Sequence, residues 1–319
     1  MNINHLAVFH AVAEAGGVTA GAERLQISQP AVSKQVKELE AALRVALFER
    51  AGRGLRLTEP GRVLAGYART LFALESEAER AVGQLRAVER GTLLVGASTT
   101  IGSYLLPVVL GTFYRRHPGV RVHVEVGNTE RVHRDLLEYR LDVGLTEGLI
   151  PGGGLTCEVF ARDELVGIVA PGHAILGREQ VRAKDLAGLP FVLREPGSGT
   201  RAVIERALGE LGLRVAEVMS LGSTEAIKRV VASGVGAAIV SRLAVMTEEA
   251  AGTLAVVTLS DLKIPRPLHR VRREGLTDGP TLKAFDRVLV ETIPRGFRCE
   301  AAVGRDLRKL NSRSLDPLR

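Results

Sequence analysis

Apolar positions at the start of the chain follow a helical period. In MNINHLAVFHAVAEAGG, Leu6, Phe9 and Ala13 fall on one face, which predicts an amphipathic helix. Ala22 and Leu25 mark a short second helix that Thr19 is placed to cap, with a break at Gln26 and Ile27. Ser28 then caps a third helix carrying Pro30 in its first turn, where a missing N–H costs nothing. On it Val32, Val36 and Leu39 form one buried stripe at i, i+4 and i+7. Ser33, Lys34 and Lys37 point the other way, and Gln29 and Pro30 project from the leading end. The period changes to alternation in Leu47-Phe48-Glu49-Arg50 and again in Leu55-Arg56-Leu57, with glycines and Arg53 between them, which predicts a β-hairpin.

From Thr58, with Glu59 and Pro60 in the first turn, Leu64, Tyr67, Leu71, Leu74, Ala78, Ala81, Leu85 and Val88 recur at steps of three and four. That is a heptad seam on a helix of roughly 45 Å. The seam needs cover, either from the chain's own C-terminal part or from a second copy of the helix; a second copy gives a homodimer.

Beyond Gly91 the pattern alternates between strand and helix. Strands are expected at 92–97, 120–126 and 141–146, with helices through Leu105, Leu106, Val109 and Phe113 and through Val132 and Leu136. This βαβαβ order implies a parallel sheet covered by helices. A Pro-Gly-rich loop at 151–154 precedes a strand at 164–171. The theme repeats with strands at 191–194, 219–222, 235–241 and 254–259 and helices at 202–211 and 224–233. A strand at 268–273 returns toward the first half before a helix at 281–293. Two α/β lobes with a cleft between them follow. The expected divisions are 1–58, a linker helix 59–90, a two-lobed domain 91–295 (first lobe 91–162 and 266–295, second lobe 163–265), and a tail 296–319. From Arg295 onward seven basic residues face three acidic ones, and the tail is expected to be mostly flexible.

Composition narrows this reading. The 319 residues are 45% hydrophobic and 25% charged, an ordinary globular balance with ample core. A net charge of +7 permits a polyanionic partner without demanding one. Its placement says more: Arg44, Arg50, Arg53 and Arg56 cluster around the hairpin, with Glu49 the only acid among them. Cys157 and Cys299 are too far apart to suggest a disulfide framework or a metal site, and no cofactor is called for. No basic stretch leads into an apolar run at the N-terminus, and no apolar run reaches membrane-spanning length, so a cytoplasmic protein with no membrane partner is expected.

Two short helices with a tight connection, followed by a hairpin, make a winged helix-turn-helix. The alternative is a surface helical hairpin beside a surface β-hairpin. The polar, cationic face of the third helix suits the major groove of B-DNA, where Gln, Ser and Lys bond base edges or phosphates. An arginine at the hairpin tip suits a narrow minor groove. The candidate DNA contacts are Gln29, Pro30, Ser33, Lys34, Lys37, Arg50 and Arg53.

The stretch AERLQISQPAVSKQVKELEAALRVALFERAGRGLRLTEPG resembles the N-terminal signature of the LysR-type transcriptional regulators, through SQPAVS, LFER and LTEPG in combination. The likeness is close over 4 to about 90 and looser to about 295. It implies an α/β protein with an N-terminal winged helix-turn-helix, a long linker helix that dimerises and often builds tetramers, and a C-terminal effector domain like the type 2 periplasmic binding proteins. Double-stranded promoter DNA is the expected partner, and through coupling between effector and DNA sites RNA polymerase is a candidate second partner, recruited or excluded.

Ligands of open α/β sheets bind beyond the carboxyl ends of strands. The turns there carry Ser98, Thr99 and Thr100; Asn128; Thr146 and Glu147; Arg194, Ser198, Thr200 and Arg201; and Ser223 and Thr224. Hydroxyls and free N–H groups at helix starts can hold an anion, although each residue could equally be a simple helix cap. REPGSGTR lacks the spacing of a P-loop. It resembles the corresponding turn in LysR-type regulators of sulfur assimilation and carbon fixation, which implies a small anionic effector: a sulfur oxyanion, an O-acetylserine-like acid or a phosphorylated metabolite. Glu147 argues against a purely cationic pocket.

No enzyme is expected, since GxSxG, a GxGxxG after a strand and HExxH are all absent from the sequence. A small-molecule-binding protein without specific DNA readout would not need residues 1–58. A sequence-blind architectural protein would not need the two lobes.

Overall fold

The computed structural model describes residues 1–51, 54–85, 91–148, 152–276, 278–293 and 297. The chain divides into two compact units, Met1–Val82 and the residues from Gly83 onward.

In the first unit, α1 (Ile3–Ala15), α2 (Val18–Leu25) and α3 (Gln29–Leu43) precede a hairpin of β1 (Phe48–Ala51) and β2 (Gly54–Leu57), then α4 (Glu59–Leu85). Helix α1 is buried on two sides. Leu6 and Phe9 pack with Leu39, Leu47, Ala65 and Ala68, while Val8 and Val12 pack with Ala22, Val32 and Val36. The expected stripe of α3 is thus its buried face. Helix α2 begins one residue before the expected cap: Gly17 is its N-cap, and the Thr19 hydroxyl instead accepts a hydrogen bond from the Gln29 side chain. Gln26 ends α2 in the left-handed region, and Ser28 caps α3 by accepting from the Ala31 N–H at 3.4 Å. The hairpin pairs Phe48 with Leu57 through Ala51 with Gly54. The Gly61 N–H donates to the Thr58 hydroxyl, the cap expected for α4.

The second unit is built on one nine-stranded sheet. Its elements are β3 (Gly91–Ser98), α5 (Thr99–Tyr104), α6 (Leu106–Arg116), β4 (Val120–Gly127), α7 (Thr129–Leu137), β5 (Val143–Glu147), β6 (Leu155–Val169), α8 (Ala183–Ala187), β7 (Pro190–Arg194), α9 (Gly199–Glu210), β8 (Ala216–Leu221), α10 (Thr224–Ala232), β9 (Ala237–Ser241), α11 (Met246–Ala250), β10 (Ala255–Val257), β11 (Ile264–Arg273) and α12 (Pro280–Thr292). The order is β4-β3-β5-β11-β6-β9-β7-β8, with β10 beside β6. Strands β3, β4 and β5 run parallel, as do β7, β8 and β9, and the antiparallel pair β6 and β11 lies between the two sets.

Each set of strands carries its own core. One cluster joins Leu93, Val95, Val109, Phe113, Val143, Leu145, Phe160, Leu268, Phe285 and Leu289. Two others gather residues from Leu165 to Ile264. We call these halves lobes. Strand β6 begins at Leu155, nine residues before the expected 164, and β11 begins at Ile264, four before the expected 268. The long pair therefore runs continuously from one lobe into the other. The helix expected through Leu105, Leu106, Val109 and Phe113 is broken at Leu105, because Pro107 has no N–H to give the preceding turn. The expected tail and the last residues of the expected linker helix lie outside the described residues, apart from Phe297, which packs on the first lobe's core.

Candidate functional site

On the first unit, Pro30, Lys34 and Lys37 are exposed on one face of α3 with Ser33 half-buried beside them, and together with Glu38 and Ala41 they line a shallow hollow of about 540 Å³. Burial of Val32, Val36 and Leu39 holds that face outward. Gln29 stands at its leading end, fixed toward α2 by its 3.1 Å bond to Thr19. Lys34 lies 3.8 Å from Glu38 one turn on, an exposed pair that leaves the ammonium available to a stronger anion. Arg50 is exposed on β1, and Arg56 is held to Glu49 across the hairpin at 2.6 Å. Arg53 lies outside the described residues.

In the second unit, the expected effector residues divide into three groups. The first converges. Glu147 ends β5 and is buried, as are Ser98 at the end of β3 and Thr200 in the first turn of α9. The Ser98 hydroxyl donates to Glu147 Oε2, and the Thr200 hydroxyl donates to Glu147 Oε1 at 3.2 Å. Arg194, also buried, connects the lobes: Nη2 donates to the Thr99 hydroxyl at 3.2 Å and Nη1 to that of Thr224 at 3.3 Å. Its Nε and Nη2 also grip the Glu195 carboxylate. Thr100 is buried beside them on α5.

The second group spends its side chains on helix starts. Asn128, Ser198 and Ser223 accept from the N–H groups of Arg131, Arg201 and Ala226 and so cap α7, α9 and α10. Asn128 also donates to the Pro196 carbonyl at 3.4 Å, across the lobes. The third group is directed elsewhere. The Arg201 guanidinium is held by Glu205, Glu217 and the Arg194 carbonyl. The Thr146 hydroxyl lies 3.1 Å from His133 Nε2.

The sequence reading missed the centre of the cluster. Arg266 on β11 is fully buried. Its Nη1 lies 2.7 Å from the Thr200 hydroxyl and 3.3 Å from Glu147 Oε1, and its Nη2 pairs with Asp163 on β6, to which Ser241 also donates at 2.7 Å. Thr129, next to Asn128 in the same turn, joins the cluster too: its hydroxyl donates to the Glu147 carbonyl at 3.0 Å. The lobes meet closely here: a Cβ on Gly199 would lie 2.0 Å from that same carbonyl oxygen. On the far rim Tyr104 donates to Glu225, and Lys228 pairs with Glu225 and Glu248 at 2.7 and 2.6 Å. Burial, and then the bond to Glu225, push the Tyr104 hydroxyl up to about 12, so it remains a donor at neutral pH. Among the described residues no cluster of side chains is suited to a metal ion. No helix of the described residues is long and apolar enough to cross a membrane.

Comparison with known proteins agrees with this layout. Residues 3–62 match the model of the bacterial regulatory helix-turn-helix protein, lysR family, and residues 86–294 match that of the LysR substrate binding domain. A probable RuBisCO transcriptional regulator of Thalassiosira pseudonana is 35% identical over 292 residues, covering 89% of this chain and 94% of its own. Full-length CbnR, in a crystal structure with its target DNA, superposes with a TM-score of 0.68 at 22% identity, covering 92% of this chain and 100% of that one, which is a likeness of fold. The regulatory domain of CcmR from Synechocystis PCC6803, in complex with 2-PG, is 26% identical with a TM-score of 0.59, covering 63% of this chain and 97% of that one. The chain belongs to the LysR family of transcriptional regulators, with the family's helix-turn-helix module followed by its substrate-binding domain.

Proposed function

We propose that this protein is a sequence-specific regulator of promoter DNA, switched by a small anionic metabolite held between the lobes of its C-terminal domain. A dimer or tetramer places α3 of each subunit in the major groove. Gln29 and Ser33 read base edges there, with Pro30 packing beside them, while Lys34, Lys37, Arg50 and Arg53 meet phosphates or the minor groove. The effector shifts the angle between the lobes, which alters the spacing or bend imposed on DNA and so polymerase access.

The observation that carries the effector assignment is the buried convergence of Ser98, Thr200 and Arg266 on a single carboxylate. Three donors from both lobes already hold an acid group, and an effector with an acid group meets the same chemistry. The relatives named as RuBisCO regulators and the 2-PG complex of CcmR favour a phosphorylated carbon metabolite over a sulfur oxyanion. A binding protein without DNA readout has no use for the exposed polar face of α3.

The test is calorimetry of the full chain with 2-PG, sugar phosphates, sulfite, sulfate, thiosulfate and O-acetylserine, paired with footprinting on the DNA flanking its gene. At least one anion should bind and alter the footprint. Silence across the series, with a cationic ligand binding instead, would overturn the effector class; equal affinity for random and flanking DNA would overturn sequence readout.

A further inference from the structure

Building on the anionic-effector reading, we propose that the Glu147 carboxylate is a tethered ligand: it fills the acid subsite of the cleft and straps the lobes together until an effector acid takes its place. Glu147 belongs to the first lobe, at the carboxyl end of a parallel strand, where ligands of α/β sheets are held. Its side chain reaches Thr200 of the second lobe and Arg266 of the strand that joins the two. Ser98 stands at the start of α5 yet leaves that helix uncapped, because its hydroxyl goes to Glu147 instead. The carboxylate therefore holds the hydroxyls and guanidinium that an effector's acid would seek.

Charge explains why exchange, rather than addition, is required. Arg266 faces two buried carboxylates, Glu147 and Asp163. Arg194, the other buried guanidinium described in the cleft, is already gripped by Glu195. A third acid beside Arg266 would bring uncompensated negative charge into a site shielded from water. If the effector's acid replaces Glu147, the number of acid groups on Arg266 stays at two. Arg266 can accommodate the exchange, since its Nε is buried without a hydrogen-bond partner, as is Asp163 Oδ1. A guanidinium offers five N–H donors in a fixed fork, so Arg266 can keep Asp163 and still turn donors to a new acid.

The experiment titrates 2-PG and inorganic phosphate into the full chain and its Glu147→Ala and Glu147→Gln variants, each checked by circular dichroism and melting. Removing the internal competitor should tighten binding of at least one probe by about tenfold or more in Glu147→Ala. Equal or weaker binding in both folded variants would overturn the proposal. A second readout needs no ligand: spin labels on Arg115→Cys and Glu210→Cys, one on each lobe, with Cys157 and Cys299 replaced by serine. The distance between labels should lengthen or broaden in Glu147→Ala, and an unchanged distribution would overturn the strap. If no chain binds either probe but the labels separate in Glu147→Ala, the acid-subsite half of the proposal falls and only the strap between the lobes stands.

Discussion

His133, on α7, lies against Thr146 just behind Glu147. Burial, and then the neighbouring His269, hold its imidazole down to about 4, whereas the unfolded chain titrates near 6.5. Between those values the unfolded state binds a proton that the folded state refuses. The contribution is therefore fully present above pH 6.5 and is lost as pH falls toward 4. After allowance for solvent screening it amounts to about 1–2 kcal/mol at about pH 5. His133→Gln keeps a hydrogen-bonding group near Thr146 without the titration. The gap in melting temperature between about pH 8 and about pH 5 should narrow in this variant, though not close, because burial lowers His269 as well. An undiminished gap would refute the assignment. Arg266 shows what a single residue conceals. It stands in PRPLHRVRR, two residues ahead of the strand expected at 268–273, so the sequence pattern left it outside any element. Its partner Asp163 is 103 residues away, and no local spacing announces a pair formed across two strands. Ser98, Glu147 and Thr200 were legible because turns at strand ends are where such sheets bind ligands, whereas Arg201 occupies the same kind of turn yet its side chain meets Glu217.

At the scale of elements, the longer helices and most parallel strands were read closely, whereas the short helices α8 and α11 were not expected and the long antiparallel pair was placed too late. Strand β6 breaks its own alternation. Ala161 faces Leu268 and Val159 faces His269, so Phe160 is the extra residue of a bulge, and Phe160 and Ala161 are buried in succession. A period of two cannot be followed through such a point. Strand β11 tolerates Pro265 and Pro267 because β5 pairs only with Leu268 to Val271, leaving one edge of the proline stretch unclaimed by that neighbour. Helix α3 was clear because its stripe, cap and proline agree. Its outward residues, together with the basic Arg53 of the hairpin sequence, should separate experimentally into two kinds. Gln29→Ala or Ser33→Ala should relax base preference by about 1–3 kcal/mol at one position of the operator. Lys37→Ala or Arg53→Ala should weaken all DNA alike and reduce the salt slope by about one. Competition binding on operator variants at several salt concentrations tells these apart, and unchanged affinity in folded Gln29 and Arg53 variants would contradict the proposed face.

For the whole molecule, the decisive surface is the outer side of α4. Ala65 and Ala68 turn inward to α1 and α3, while Tyr67, Leu71 and Leu74 on the heptad seam remain 74%, 37% and 43% exposed in a single chain. A row of apolar side chains at steps of three and four, left facing water on a helix of 27 residues, is the surface a second copy would cover. Charges placed there test this without disturbing the fold, because neither leucine belongs to the unit's core. Leu71→Glu with Leu74→Glu should leave circular dichroism unchanged and convert the proposed dimer to monomer in sedimentation equilibrium. Operator affinity should then fall by about a hundredfold or more, since two half-sites joined in one particle gain that much from effective concentration alone. Binding to a single half-site should be unaffected, which separates lost pairing from a damaged recognition helix. A doubly substituted chain that still sediments as the wild type does would place the dimer contact elsewhere.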